Sequence, residues 1–193
     1  KRDSPETLLD SALGHIGRDD NAPVTSAAAD GVAITAHVRG GNGRIRQGMI
    51  RYLVISLDIP HGLHVYGQPA PEGMLPLTIT VTGPTGLITL PIITPETELL
   101  QLPSVGVDLQ VWHGRAEFII PFYATGELAS EVRPLDRDTI DLTIHVQFQA
   151  CDDDVCLLPT TTSLTLTAPM DVVDIPRLAI HKGHGQREGT YDA

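Results

Sequence analysis

The longest regular pattern in this chain runs from Thr139 to Ala150 and stops at the only pair of cysteines. Ile140, Leu142, Ile144, Val146, Phe148 and Ala150 alternate with Asp141, Thr143, His145, Gln147 and Gln149. Such a period of two reads as a β-strand with one buried face and one wet face. Cys151-Asp152-Asp153-Asp154-Val155-Cys156 follows, and an aspartate tract forms turns readily. Thr161 to Thr167 then reads as a returning strand. The cysteines therefore flank a hairpin loop. Opposed residues of an antiparallel pair have Cα atoms roughly 4.5–5.5 Å apart, which a disulfide accepts. If the strand stays regular, Cys151 points away from the Phe148 face and needs a separate cover.

Two readings of the pair stand. It is a staple, or it is a redox couple. Closing a loop of about six residues removes only roughly 2 kcal/mol of unfolded-state freedom. A chain of 193 residues can bury a sizeable core without that help. Asp152, Asp153 and Asp154 favour the second reading. Negative charge beside a thiol opposes the thiolate, which is the nucleophile. An acidic rim also repels small anionic thiols. Such a pair reacts slowly with a bulk thiol pool and faster with a docked protein.

At Gln149, Cys151, Cys156 and Pro159, with the Thr-rich run after them, the sequence resembles the N-terminal domain of the DsbD thiol–disulfide interchange family. Gly62-Leu63-His64-Val65-Tyr66 is similar to that family's Gly-aromatic-x-Leu-Tyr segment, with His64 in place of an aromatic. Val111-Trp112-His113-Gly114 is similar to its cap-loop stretch. The resemblance covers about residues 31 to 170 and implies an immunoglobulin-like fold. It further implies that Trp112 covers the disulfide, that Tyr66 and His64 line the site, and that Cys156 is the attacked sulfur. The activity implied is that of a thiol–disulfide oxidoreductase without an organic cofactor, one component of a protein-disulfide reductase. The implied partners are a thioredoxin-like donor and disulfide-bonded proteins outside the cytoplasm.

The rest of the chain agrees with an all-β domain. Val32 to Val38, Met49 to Ile59, Leu77 to Thr82, Leu87 to Ile93 and Arg115 to Tyr123 read as strands, separated by Gly- and Pro-containing turns. Their spacing suits an immunoglobulin-like antiparallel β-sandwich. Pro121 inside a strand points to an edge or a bulge. Ser4-Pro5-Glu6-Thr7 starts a short N-terminal helix carrying Leu8, Leu9, Ala12, Leu13 and Ile16 on one stripe. Residues 1–30 thus divide into a helix and a linker over 18–30, or form the end of a preceding domain. Residues 31–175 make the sandwich, and 176–193 a flexible tail. Gly126 to Arg137 reads as a loop. Lys1-Arg2 reads as the start of a processed chain or of an excised fragment.

Composition excludes several functions. A net charge of −11 argues against nucleic acid and anionic membranes as partners. No run reaches the roughly 18 apolar residues of a membrane span. The strand pattern and the redox reading favour an oxidising, extracytoplasmic space such as the periplasm. His61 with His64, and His181 with His184, are spaced like ligand pairs, but they lie far from each other and from the cysteines, so no metal site is expected. The rival from another class is a non-enzymatic immunoglobulin-like binding module with a structural disulfide.

Overall fold

The computed structural model describes residues 21–101, 108–129 and 138–171. The helix expected near the N-terminus and the tail from Pro176 lie outside the described residues. So does most of the expected loop up to Arg137, which opens on a single helical turn, α1 (Gly126–Ala129).

Among the described residues the named strands pair antiparallel throughout, and two isolated bridges, Ile45 with Met170 and Gln47 with Ala124, are parallel. One sheet runs β1 (Val24–Ala29), β2 (Val32–Arg39), β3 (Arg51–Ile59), β9 (Gly114–Ala124), β6 (Leu87–Thr89). A second runs β12 (Thr160–Pro169), β10 (Thr139–Phe148), β5 (Thr78–Thr82). A third runs β11 (Ala150–Cys151), β4 (His64–Tyr66), β8 (Asp108–Trp112), β7 (Glu98–Gln101).

The alternation in β10 does what its period requires. Ile140, Leu142, Ile144, Val146 and Phe148 are buried, and they meet Leu164, Leu166 and Ala168 of β12 on one face. Ile34, Ala36, Leu53, Ile55, Leu57, Phe118 and Phe122 of the first sheet close the same core from the other side. On the outer face of β3 and β9, Val54 and Ile119 form a small second cluster with Tyr52 and Ile93.

One expectation changes. The linker reading of residues 18–30 gives way at Val24, because Val24–Ala29 pairs along its whole length with β2. Its turn is Asp30-Gly31, with φ of 49° and 81°. Asp-Gly is a strong hairpin signal because both central residues of such a turn need positive φ. Pro121 sits where an edge or bulge was expected: it pairs with Tyr52 of β3, but the β6 ladder stops at Phe122, and the register has shifted by one residue at the next bridge, Ile93 with Ile119. The Pro121 carbonyl accepts from Leu90 N at 2.8 Å. A residue's N–H and C=O point to the same side of an antiparallel strand, so the nitrogen without a hydrogen faces the side where β6 has already ended.

The site depends on one crossing. At Phe148 the chain leaves the three-stranded sheet. After Gln149 it joins the edge of the four-stranded sheet as β11.

Candidate functional site

Opposed residues of an antiparallel pair share a face, and successive residues alternate. Ala150 opposes Val65, which opposes Trp112. These three belong to the main core. Cys151 opposes His64, and Tyr66 opposes Val111. They lie on the other face, where Cys151, Tyr66, Leu109 and Val111 form a separate cluster. Ala70, Leu100 and Cys156 pack against it.

Cys151 and Cys156 are joined in a disulfide with a Cα–Cα distance of 4.0 Å. The two sulfurs differ in access. Cys151 is 0% exposed, whereas Cys156 is half-buried. The four residues between them form a tight turn. Asp152 N donates to the Val155 carbonyl at 3.0 Å. The Asp152 carboxylate accepts from Val155 N at 2.6 Å and from Asp154 N at 2.8 Å. Those two backbone donors, Val155 first, hold the Asp152 carboxyl below its usual range. Its charge is thus engaged within the turn. Asp153 and Asp154 are exposed. Val155, Leu157 and Leu158 beside them are exposed apolar side chains, Leu158 at 85%.

Tyr66 Oη lies 3.8 Å from Cys156 Sγ. An oxidised sulfur carries no hydrogen, so the hydroxyl donates. Burial raises the Tyr66 pKa, which keeps the phenol protonated. The Tyr66 ring meets the His64 ring edge-on, with centroids 5.2 Å apart. His64 is buried, and its Nε2 has no hydrogen-bond partner. Burial lowers the His64 pKa; Asp153 and Asp152 oppose that shift, and His113 adds to it.

Gln149 occupies the crossing between sheets and is itself buried. Its Oε1 accepts from Leu75 N at 3.0 Å, and its Nε2 donates to the Leu157 carbonyl at 2.9 Å. Leu157 N donates to the Ala150 carbonyl at 2.9 Å. One side chain therefore ties both arms of the cysteine turn to the segment that follows β4.

The structure thus brings together Cys151, Cys156, Tyr66, His64 and the acidic turn. It does not add Trp112. The expected cover over the disulfide lies on the opposite, inner face of the sheet, one residue out of phase. There its indole stacks edge-on against Phe118 at 5.0 Å, and its Nε1 donates to the Pro95 carbonyl at 3.2 Å. The apolar packing around the cysteines comes instead from Tyr66, Val111, Leu109, Ala70 and Leu100. Sequence reasoning assigned no role to Leu109, Val111 or Gln149. The signal for Gln149 was a polar residue next to Phe148, where the alternation meets the cysteine segment. His113 pairs with Glu98 at 3.0 Å and His145 meets Ser163 at 2.8 Å, both at the surface.

The model of the family described as thiol:disulfide interchange protein DsbD, N-terminal, matches residues 45–168. This chain belongs to that family. The DsbD N-terminal match contains the whole cysteine turn and the strands that present it, in an antiparallel sandwich of immunoglobulin type. No curated protein matches the sequence. Among solved structures, the chain is similar to the N-terminal periplasmic domain of ScsB from Proteus mirabilis, with a TM-score of 0.50 at 16% identity. That alignment covers 75% of this chain and 51% of the other, so the chain spans about half of that relative. The reduced N-terminal domain of DsbD from Neisseria meningitidis aligns at TM-score 0.40 and 15% identity, over 77% of this chain and 89% of that one. Among the described residues, no helix is long and apolar enough to cross a membrane. Family and disulfide together support a thiol–disulfide exchange role for this chain.

Proposed function

We propose that the domain relays electron pairs, outside the cytoplasm, between a thioredoxin-like donor and disulfide-bonded proteins. The observation that carries this reading is the unequal access of the two sulfurs, with half-buried Cys156 beside fully buried Cys151. A donor thiolate reaches Cys156 first. It bonds to Cys156 Sγ, the Cys151–Cys156 bond breaks, and Cys151 leaves as a thiolate. The donor's second thiol then attacks the donor's own sulfur and releases Cys156. The pair has gained two electrons and, after protonation, two hydrogens. A substrate disulfide reverses the sequence. The Tyr66 hydroxyl, within reach of Cys156 Sγ, stabilises negative charge on that sulfur when it is released.

Asp153 and Asp154 are the rim that repels small anionic thiols. Exposed Val155, Leu157 and Leu158 offer an apolar footing to a protein partner. The rival reading, a binding module with a structural disulfide, draws on the complete burial of Cys151.

Trapping separates the two. A thioredoxin lacking its resolving cysteine should form a mixed disulfide with the oxidised domain, and peptide mapping should place it on Cys156. The Cys151→Ala/Cys156→Ala variant should remain folded, because the loop contributes only about 2 kcal/mol. No adduct with any thioredoxin-like protein, together with a reduction potential below about −300 mV, would establish the structural role.

A further inference from the structure

We infer that His64 is the base that takes the proton from Cys151 when the reduced pair passes its electrons on. This rests on the exchange reading above. His64 and Cys151 are direct partners in the β4–β11 register, which sets their side chains on one face with Cβ atoms about 4.5–5.5 Å apart. Cys151 is fully buried, so water has no free route to its sulfur. A buried base must then receive the proton. His64 Nε2 is buried and has no partner, and folds seldom leave such an atom unpaired without a use. In the disulfide state the Cys151 sulfur has no hydrogen to offer it. In the dithiol state it has one.

The other groups around His64 are unsuited to the task. Tyr66, on the same strand, contacts Cys156 and is held protonated by burial. Asp152 accepts two backbone hydrogen bonds within its turn, and Asp153 beside it is exposed. His113 is paired with Glu98 at the surface. The same burial that lowers the His64 pKa keeps its imidazole neutral, and therefore able to accept, at neutral pH.

The step balances. The Cys156 thiolate attacks a substrate disulfide, breaks it and expels one thiolate, leaving Cys156 bonded to the other sulfur. The Cys151 S–H bond breaks toward His64 Nε2. The Cys151 thiolate bonds to Cys156 Sγ and expels the second substrate thiolate, and the imidazolium returns its proton to that thiolate or to solvent. The cysteine pair is oxidised by two electrons, and the substrate disulfide is reduced.

The reaction of the reduced chain with dithiobis(nitrobenzoate) reads the two steps apart. Attack by Cys156 releases one nitrothiolate, and resolution by Cys151 releases a second. His64→Phe keeps an aromatic ring at this position for the edge contact with Tyr66; His64→Gln keeps a polar group. Thermal melts of the oxidised variants verify that both fold. In each, the second phase should slow by about 100-fold, the lower range for a lost general base, while the first changes less than about twofold. The wild-type second phase should already have levelled off by neutral pH, whereas that of the variants should keep rising with pH. Equal second phases in wild type and a folded variant would overturn the role of His64 and leave the exchange reading standing. A wild-type protein that releases one nitrothiolate and never closes its disulfide would overturn both.

Discussion

Replacing Gln149 with Leu tests whether one side chain sets the cysteine turn in place. Leucine fills nearly the same space, so the change removes polar contacts with little cavity. Two hydrogen bonds are lost, from Leu75 N at 3.0 Å and to the Leu157 carbonyl at 2.9 Å. A net hydrogen bond contributes about 1 kcal/mol, and a buried group left unpaired costs about 1–3 kcal/mol. Leu157 is exposed, so its carbonyl finds water and its loss stays near the lower figure. Leu75 is half-buried, so its N–H is worse off. The sum is about 2–3 kcal/mol, which for a chain of this size lowers Tm by about 4–12 °C. Urea unfolding of the oxidised protein should show the midpoint falling at unchanged slope. Reduction by thioredoxin should speed up, because the turn is released from the segment after β4 while Tyr66 stays in place. A loss below about 0.5 kcal/mol with an unaltered reduction rate would show that Gln149 holds nothing.

Trp112→Phe should destabilise the domain by about 2–3 kcal/mol, through lost core volume and the lost bond to Pro95, yet leave the thioredoxin reduction rate within about twofold. A tenfold change in rate in a protein of unaltered stability would return the indole to the disulfide. Stability should also fall as pH drops below the ordinary histidine value of 6.5, because burial lowers the folded pKa of His64. The unfolded chain then binds more protons, so the stability present above that value is lost toward and through the folded pKa. His64→Phe should flatten this slope. Asp152, whose pKa is lowered from 3.8, acts only at pH values below that. Denaturation midpoints across the pH range, compared between wild type and His64→Phe, decide the matter; identical slopes would refute the His64 assignment.

The parts of the fold legible in the sequence are those where one face is wet. β10 alternates over ten residues because its outer side chains meet solvent, and its burial follows the pattern residue by residue. β12 does the same with threonines outward. β1 is not legible, because Val-Thr-Ser-Ala-Ala-Ala has no large apolar side chain beyond its first residue, although Asp30-Gly31 is a hairpin signal. Nor is β4, because His64, Val65 and Tyr66 are all buried, so three residues carry no period. β8 is nearly as short. The cysteine pair, Tyr66 and His64 were legible by chemistry and by resemblance. The position of Trp112 was not, since it depends on which face of an unrecognised sheet the residue occupies.

That dependence explains why the site is built where it is. The side-chain period of a strand is two, so a slip of one residue exchanges the faces. Slipped by one against β4, β11 would turn Cys151 into the core and Ala150 outward. The outer cluster would lose its central sulfur, and the core would gain a thiol with no route to a partner. Two residues of β11 pairing cannot hold a register alone. Ala150 fixes it from below, fully buried against Val65. Gln149 fixes it from the side, through bonds to two separate segments. The register of the cysteine turn thus rests on a buried amide that carries no reactivity of its own. The most disruptive single changes to the site should fall at the crossing between the sheets rather than in the aspartate turn.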